Sequence, residues 1–181
     1  HNVVWYNRTI NYTPSKKDTY INFEGVDYYT RLYVNGVYVG EHKGGYTKFS
    51  FNITSYLRKG ENSITLRVYD DLDAARIRGK QRWKPESFEC FYVQTTGIWK
   101  TVWLEHKDPT HLDLVLMDPS YKYNNVAMEF RVAGSLENVE LETIISYKDE
   151  LISKERKAVT RPLFSQTFDI TTDSATMKTH C

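Results

Sequence analysis

Residues 31–40 read Arg-Leu-Tyr-Val-Asn-Gly-Val-Tyr-Val-Gly, with Asn35 and Gly36 between two runs of alternating residues. Both central positions of a type I′ turn need positive φ, so this pattern predicts a β-hairpin with a two-residue loop. In the predicted register, Tyr33 lies opposite Tyr38 on one side of the hairpin. The other side carries the four apolar residues Leu32, Val34, Val37 and Val39, with Leu32 opposite Val39.

Other parts of the chain follow the same period of two. Apolar and polar residues alternate over 48–53, 63–69 and 126–132. Alternation places one set of side chains on a core and the other toward water, as in half-buried antiparallel strands. A sustained helical period is absent from the sequence. We therefore expect an all-β protein.

The composition excludes several functional classes. The 181 residues contain 24 Lys and Arg against 23 Asp and Glu, so a net charge of +1 favours neither nucleic acid nor an acidic membrane as partner. No apolar run approaches the roughly 20 residues that a membrane helix needs. The five histidines are scattered, and two cysteines cannot build a four-ligand zinc site. We predict no metal, no cofactor, no nucleic acid and no membrane partner.

A polar, proline-containing stretch over 106–111 divides the chain, and all four tryptophans precede it. We expect one domain over 1–106 and a second over 107–181. Short apolar runs predict five strands in the second domain, at 112–116, 126–132, 139–147, 151–159 and 164–170. This spacing is typical of an immunoglobulin-like β-sandwich. Residues 171–181 carry no pattern, and a frayed or truncated end is expected there.

A long polar segment over 70–86 is the candidate functional loop, because loops of this length in compact β domains usually carry function. Its polarity predicts that Trp83 is at least partly exposed. Trp83 and Tyr92 offer planar apolar faces, and Arg78 and Gln81 offer guanidinium and amide donors. Such a combination suits a sugar, which presents C–H faces and paired hydroxyls. A core role for Trp83 is the equally weighted alternative.

The neighbouring residues have simpler interpretations. Asp70, Asp71 and Asp73 could supply oxygen ligands to calcium, but they lack the spacing of a calcium loop and are interpreted as a solvated acidic turn. A strand is expected near 88–93, with Cys90 as a small buried hydrophobe. A core role is favoured for Phe91, which lies in this strand.

Several segments together resemble one family, the β-galactosidase, β-glucuronidase and β-mannosidase group of glycoside hydrolase family 2. They match its N-terminal sugar-binding domain in order and spacing, and they are Trp5–Ile10, Ile21–Tyr28, Val34–Tyr46, Phe49–Thr54, Gly60–Asn62 and Thr96–Glu105. The stretch Arg78–Trp83 resembles a motif of one bacterial branch. Residues 107–170 are consistent with the immunoglobulin-like domain that follows in the family.

The resemblance implies a galactose-binding-like jelly roll followed by an immunoglobulin-like sandwich. In the family, a (β/α)8 barrel then carries two catalytic glutamates, and neither has a counterpart here. The chain is therefore expected to have no catalytic residue and to pack on a barrel domain in its parent protein. Family members also begin with strands ahead of the Trp5 segment, so the jelly roll is expected to lack an edge.

One departure concerns sugar contact. In well-known branches an aspartate six residues before the glycine that matches Gly97 touches the sugar, and Phe91 occupies that position here. Arg78, Gln81, Trp83 and Tyr92 are the predicted substitutes, with a β-linked glycoside as ligand.

Three functions remain open at this stage. The first is the non-catalytic front of a family 2 exo-β-glycosidase, framing the active site of its barrel. The second is an autonomous carbohydrate-binding module without hydrolase activity. The third is a structural or adhesive pair of β-sandwiches. The expected location is the bacterial cytoplasm or periplasm.

Overall fold

The structure is a computed structural model that describes residues 2–73 and 75–171. The described residues form fourteen strands and one short 3-10 turn, Thr54–Tyr56, so the predicted all-β class is confirmed. The chain divides into two compact units, His1–Lys107 and Asp108–Cys181. No helix in the described ranges has the length and hydropathy that crossing a bilayer requires. The end predicted to be truncated falls on residues 172–181, outside the described residues.

Nine strands build the first unit, and five build the second. In the first unit they are β1 (Val3–Tyr12), β2 (Asp18–Phe23), β3 (Val26–Asp27), β4 (Tyr29–Val34), β5 (Val37–Lys43), β6 (Phe49–Asn52), β7 (Gly60–Tyr69), β8 (Gly97–Ile98) and β9 (Val102–Lys107). In the second unit they are β10 (His111–Ser120), β11 (Asn125–Ala133), β12 (Glu140–Tyr147), β13 (Glu150–Ala158) and β14 (Leu163–Asp169).

The first unit is the jelly-roll sandwich expected from the sequence. One antiparallel sheet has the strand order β1-β7-β4-β5, and a second has the order β6-β2-β9. Alternating apolar residues from both sheets meet in one core, which contains Ile21, Phe23, Leu32, Val34, Leu66 and Val68. A third pairing, β3 with β8, joins the loops at one end of the sandwich.

The hairpin at residues 31–40 forms with the predicted turn and a different register beyond it. Asn35 and Gly36 both have positive φ, of 52° and 81°, and Tyr33 pairs with Tyr38. A β-bulge then places Leu32 opposite Gly40, so the predicted pairing of Leu32 with Val39 is wrong. Gly40 lies against the Phe51 ring, and a Cβ at this position would come within 2.6 Å of that ring. The bulge therefore places a glycine at this close contact. Val37 is exposed at the hairpin tip and does not join the buried face.

A cleft of about 600 Å³ opens into the first unit beside its edge strands β1 and β9. Its lining is mostly apolar and includes Tyr6, Ile10, Ile98, Val102 and Leu104. Val102 and Leu104 are exposed. The expectation that the jelly roll lacks strands ahead of β1 stays a prediction.

The second unit contains the five predicted strands. Strands β10, β11 and β14 form one sheet, and β12 pairs with β13. The inward residues of β11 alternate as predicted, and Val126, Met128 and Phe130 form a core with Phe168. Leu141 and Ile145 of β12 pack on this core, so the two sheets cover each other as in a sandwich.

Candidate functional site

A buried ion pair anchors the loop that follows β7. Asp70 ends the strand, and its carboxylate lies 3.4 Å from a guanidinium nitrogen of Arg78. The Arg78 Nε also donates to the carbonyl of Asp73 at 2.8 Å, and a second nitrogen donates to the carbonyl of Asp71. Gln94 donates to the other Asp70 oxygen at 2.6 Å. The two ends of the loop are therefore tied to one buried carboxylate.

Gln81 forms a second tie across the loop. Its side-chain amide nitrogen donates to Asp27 Oδ2 at 2.8 Å, and its oxygen accepts from the Thr95 backbone N–H at 2.8 Å. Asp27 is buried, and burial raises the pKa of its carboxyl, while the Gln81 hydrogen bond and nearby Arg78 and Arg76 oppose that rise. Both polar ends of Gln81 are thus used inside the protein.

The backbone of the loop closes on itself near Tyr92. The Tyr92 N–H donates to the Lys80 carbonyl and the Arg82 N–H donates to the Tyr92 carbonyl, each at 2.7 Å. Residues 88–93 form only isolated bridges, so the predicted strand at this position is wrong. Cys90 is exposed, which also corrects its predicted burial. Instead of joining a sheet, this segment makes a turn from Phe88 to Phe91 and pairs its backbone with residues 80–82 of the same loop.

Trp83 rests on a small aromatic cluster. Its ring centroid lies 4.4 Å from that of Phe91 and 4.9 Å from that of Phe88, both in edge-to-face geometry. Trp83 is 38% exposed, which confirms the predicted partial exposure. Phe91 is half-buried in this cluster and supports Trp83 without joining the core of the unit, so the core role favoured for it is wrong.

The four predicted site residues separate into two pairs. Trp83 and Tyr92 present exposed rings, Tyr92 with 67% of its surface accessible. Arg78 is buried, and the described polar atoms of Arg78 and Gln81 are bound to Asp70, to Asp27 and to backbone groups. The first pair offers contact surface, and the second pair holds the loop.

Sequence reasoning missed two further aromatics beside this loop. Trp99 donates its indole N–H to the Gly45 carbonyl at 2.8 Å, and its ring lies 5.8 Å from that of Tyr46. A Cβ on Gly79 would be 3.2 Å from the Tyr46 hydroxyl, so Tyr46 borders the loop. Both rings are exposed. Trp99 lies two residues after Gly97 in one of the quoted motifs, and that position was the available signal.

The acidic residues of the loop already have partners. Arg76 contacts Asp70, Asp71 and Asp73 at 3.5, 3.0 and 3.7 Å. Within the described residues, no group of three or more His, Cys, Asp or Glu side chains is arranged to hold a metal ion. Asp70 is buried, so the interpretation of this stretch as a solvated acidic turn is wrong for that residue, and the carboxylates act as anchors for the loop.

Comparison with known proteins identifies the family. Residues 1–108 match the family model described as the sugar-binding domain of glycosyl hydrolases family 2. The chain belongs to glycosyl hydrolase family 2. This family 2 chain is 43% identical over 98 residues to a β-galactosidase from Thermoanaerobacter pseudethanolicus, covering 53% of this chain and 12% of that protein. It is 28% identical over 162 residues to a putative β-glucuronidase from Formosa agariphila, covering 86% of this chain and 14% of that protein.

Solved structures of family 2 proteins share the fold. A β-glucuronidase from Bacteroides uniformis superposes with a TM-score of 0.71 at 24% identity, covering 92% of this chain and 21% of that chain. A putative β-galactosidase from Bacteroides fragilis gives a TM-score of 0.69 at 21% identity, with 92% and 27% covered. The family 2 chain thus spans about an eighth to a quarter of the length of these relatives.

Proposed function

We propose that this chain is the non-catalytic N-terminal region of a family 2 β-glycosidase, such as a β-galactosidase or β-glucuronidase, and that it frames the sugar site of a barrel domain. The observation that carries the proposal is the loop of residues 70–95, which holds exposed aromatic rings on a buried ion pair. The match of residues 1–108 to the sugar-binding domain of the family supports the same assignment.

Within this loop, Trp83 and Tyr92 supply the contact surface for a β-linked glycoside. Aromatic faces suit the C–H face of a sugar ring, and Tyr92 adds a hydroxyl. Arg78 and Gln81 act as positioning residues, because their polar atoms are bound within the loop and to Asp27. Loss of either positioning residue would move the rings without removing them.

An exposed apolar patch on the second unit supports packing against another domain. Strand β10 exposes four large apolar side chains, Leu112, Val115, Leu116 and Met117. Leu112, Val115 and Met117 pair with the buried residues Val132, Phe130 and Met128 of β11 and so share one side of the sheet, whereas Leu116 lies on the other side. Exposed apolar surface that continues from a core usually marks an interaction site. A catalytic barrel domain is the partner that we propose for this patch.

A chimera tests the proposed function. In the Thermoanaerobacter β-galactosidase, the sugar-binding domain is replaced by residues 1–108 of this chain, the range that matches the family model and contains Trp83 and Tyr92. Trp83→Ala in the chimera is expected to raise KM for 4-nitrophenyl β-galactoside by roughly tenfold, as for a lost contact of about 1.4 kcal/mol, with a smaller change in kcat. Ile77→Ala, an exposed apolar residue of the same loop, is the matched control and should leave both constants unchanged.

The result that contradicts the proposal is a folded, active chimera in which Trp83→Ala and Tyr92→Ala behave like the control. The alternative function, an autonomous carbohydrate-binding module, makes a different prediction. Calorimetry would then show that the 181-residue chain alone binds galactose or glucuronate, and that Trp83→Ala abolishes this binding.

A further inference from the structure

The solvent side of the four-stranded sheet carries aromatic rings that the proposed function does not use. Strand β4 alternates strictly, so that Thr30, Leu32 and Val34 are buried and the intervening residues face outward. The cross-strand register places residues of β1, β7 and β5 on the same side. We call this surface the aromatic face and define it by its five rings, Trp5, Tyr29, Tyr33, Tyr38 and Tyr69.

These rings form a connected and accessible surface. The Tyr33 centroid lies 6.3 Å from that of Trp5 and 5.7 Å from that of Tyr38. Trp5 is 59% exposed and Tyr38 is 47% exposed. The core of the unit lies on the opposite side of the sheet, so these two rings contribute little to its burial. Exposed rings in a row are a typical binding surface.

Cations lie between and beside the rings. The Arg67 guanidinium is 5.9 Å from the Trp5 centroid and 6.0 Å from the Tyr69 centroid. Lys43 Nζ lies 5.0 Å from the Tyr29 centroid. Arg31 is 3.3 Å from Glu41, the carboxylate on this face that balances one of the three cations. On the sheet itself three cations thus accompany one carboxylate, and a second carboxylate, Asp71, accepts a hydrogen bond from the Tyr69 hydroxyl at its edge.

A pocket closes one end of the aromatic face. It has a volume of about 360 Å³ and is lined by Tyr28, Tyr29, Lys43 and Tyr69, and by the loop residues Asp73, Ala75 and Arg76. The Arg76 guanidinium lies 4.4 Å from the Tyr28 centroid. This volume is within the range of about 300–1,000 Å³ that small-molecule sites occupy. A sugar unit with an acidic group would find stacking surfaces in this pocket, with Lys43 as the cation to pair with, because Arg76 already contacts three loop carboxylates.

We propose that the aromatic face and its end pocket bind an anionic glycan, a chain of sugar rings that carries carboxylate or sulfate groups. Sugar rings stack on the exposed aromatics, and the acidic groups pair with Arg67 and Lys43. The aromatic rings and arginines would suit a glycan or a protein, and Lys43 and Glu41 favour the glycan, because lysine and glutamate are depleted at the centres of protein interfaces. This site shares Arg76 with the base of the Trp83 loop, but it uses neither Trp83 nor Tyr92 and does not rest on the proposed function.

Affinity electrophoresis of the 181-residue chain tests this site in native gels that contain polygalacturonate, dextran sulfate, neutral galactan or polyglutamate. We expect retardation by the two acidic glycans only. Trp5→Ala and Arg67→Ala should each weaken retardation by roughly tenfold, which corresponds to about 1.4 kcal/mol. Tyr121→Ala, which removes a ring that is 80% exposed in the second unit, is the matched control and should not weaken it.

Several results would overturn the proposal. Equal retardation by polyglutamate would mean that charge alone is recognised, and absence of retardation by both acidic glycans would exclude the site. Loss of retardation in Trp83→Ala but not in Trp5→Ala would assign glycan binding to the loop. A monomer–dimer equilibrium that Trp5→Ala shifts, measured by sedimentation without any glycan binding, would make the aromatic face a contact between two copies. Circular dichroism verifies that each variant is folded.

Discussion

Replacing Arg78 by methionine tests the buried ion pair that anchors the candidate loop. The Arg78 and Asp70 side chains are 7% and 2% exposed, and the closest N–O distance is 3.4 Å. Removing one partner of such a pair costs about 3–5 kcal/mol, because a charge is left buried. Asp70 keeps the Gln94 amide at 2.6 Å and Arg76 at 3.5 Å, so we expect the lower end, about 3 kcal/mol.

Tryptophan fluorescence during urea unfolding measures this loss in the first unit, since all four tryptophans lie at or before Trp103. With an m value of about 1.5 kcal/mol/M, the midpoint should fall by roughly 2 M. In the double variant Arg78→Met with Asp70→Asn, the Asp70→Asn change should lower the free energy of unfolding by less than it does in the wild-type chain. Arg31→Met breaks an ion pair whose side chains are both 42% exposed, and this control should stay near the wild-type midpoint.

The reasoning is refuted if Arg78→Met unfolds at the wild-type midpoint, or if the two substitutions are fully additive. Either result would mean that the loop is held by other contacts, and Arg78 would lose its assigned role as a positioning residue.

The remaining predictions concern the buried carboxylate, the hairpin bulge and the second core. Burial raises the Asp27 pKa, so the folded chain loses stability as pH rises through that pKa. Asp27→Asn should therefore be more stable than wild type near neutral pH and should lose this advantage near pH 4. Urea midpoints at both pH values measure the difference. Gly40→Val should destabilise the first unit by about 1–3 kcal/mol, because its Cβ would meet the Phe51 ring at 2.6 Å; an unchanged fluorescence midpoint would contradict this. Phe130→Ala should cost the second unit about 3–5 kcal/mol by circular dichroism, and a matching shift in the fluorescence transition of the first unit would argue against separate domains.

The strands were predictable from sequence because alternation and turn chemistry are local. The Asn35-Gly36 turn and the inward residues of β11 depend only on neighbours in the chain. The bulge that pairs Leu32 with Gly40 was not predictable in this way, since it depends on Phe51 from another strand. Local patterns do not encode such contacts.

The candidate site was predictable in composition but not in roles. Polarity and length identified the loop and the exposure of Trp83. Arg78 and Gln81 have the same donor groups whether they contact a sugar or a buried acid, and only the fold shows Asp70 and Asp27 within their reach. Asp27 lies 54 positions from Gln81 in the sequence, so no local pattern could join them.

A hydrolysis assay of the purified 181-residue chain on 4-nitrophenyl β-galactoside and β-glucuronide is the most direct test of the claim that this region frames a sugar without cleaving it. We predict no release of nitrophenol above the buffer rate from the chain alone, and clear release from the chimera that supplies a barrel. Turnover by the isolated chain, retained through repeated purification, would contradict the claim.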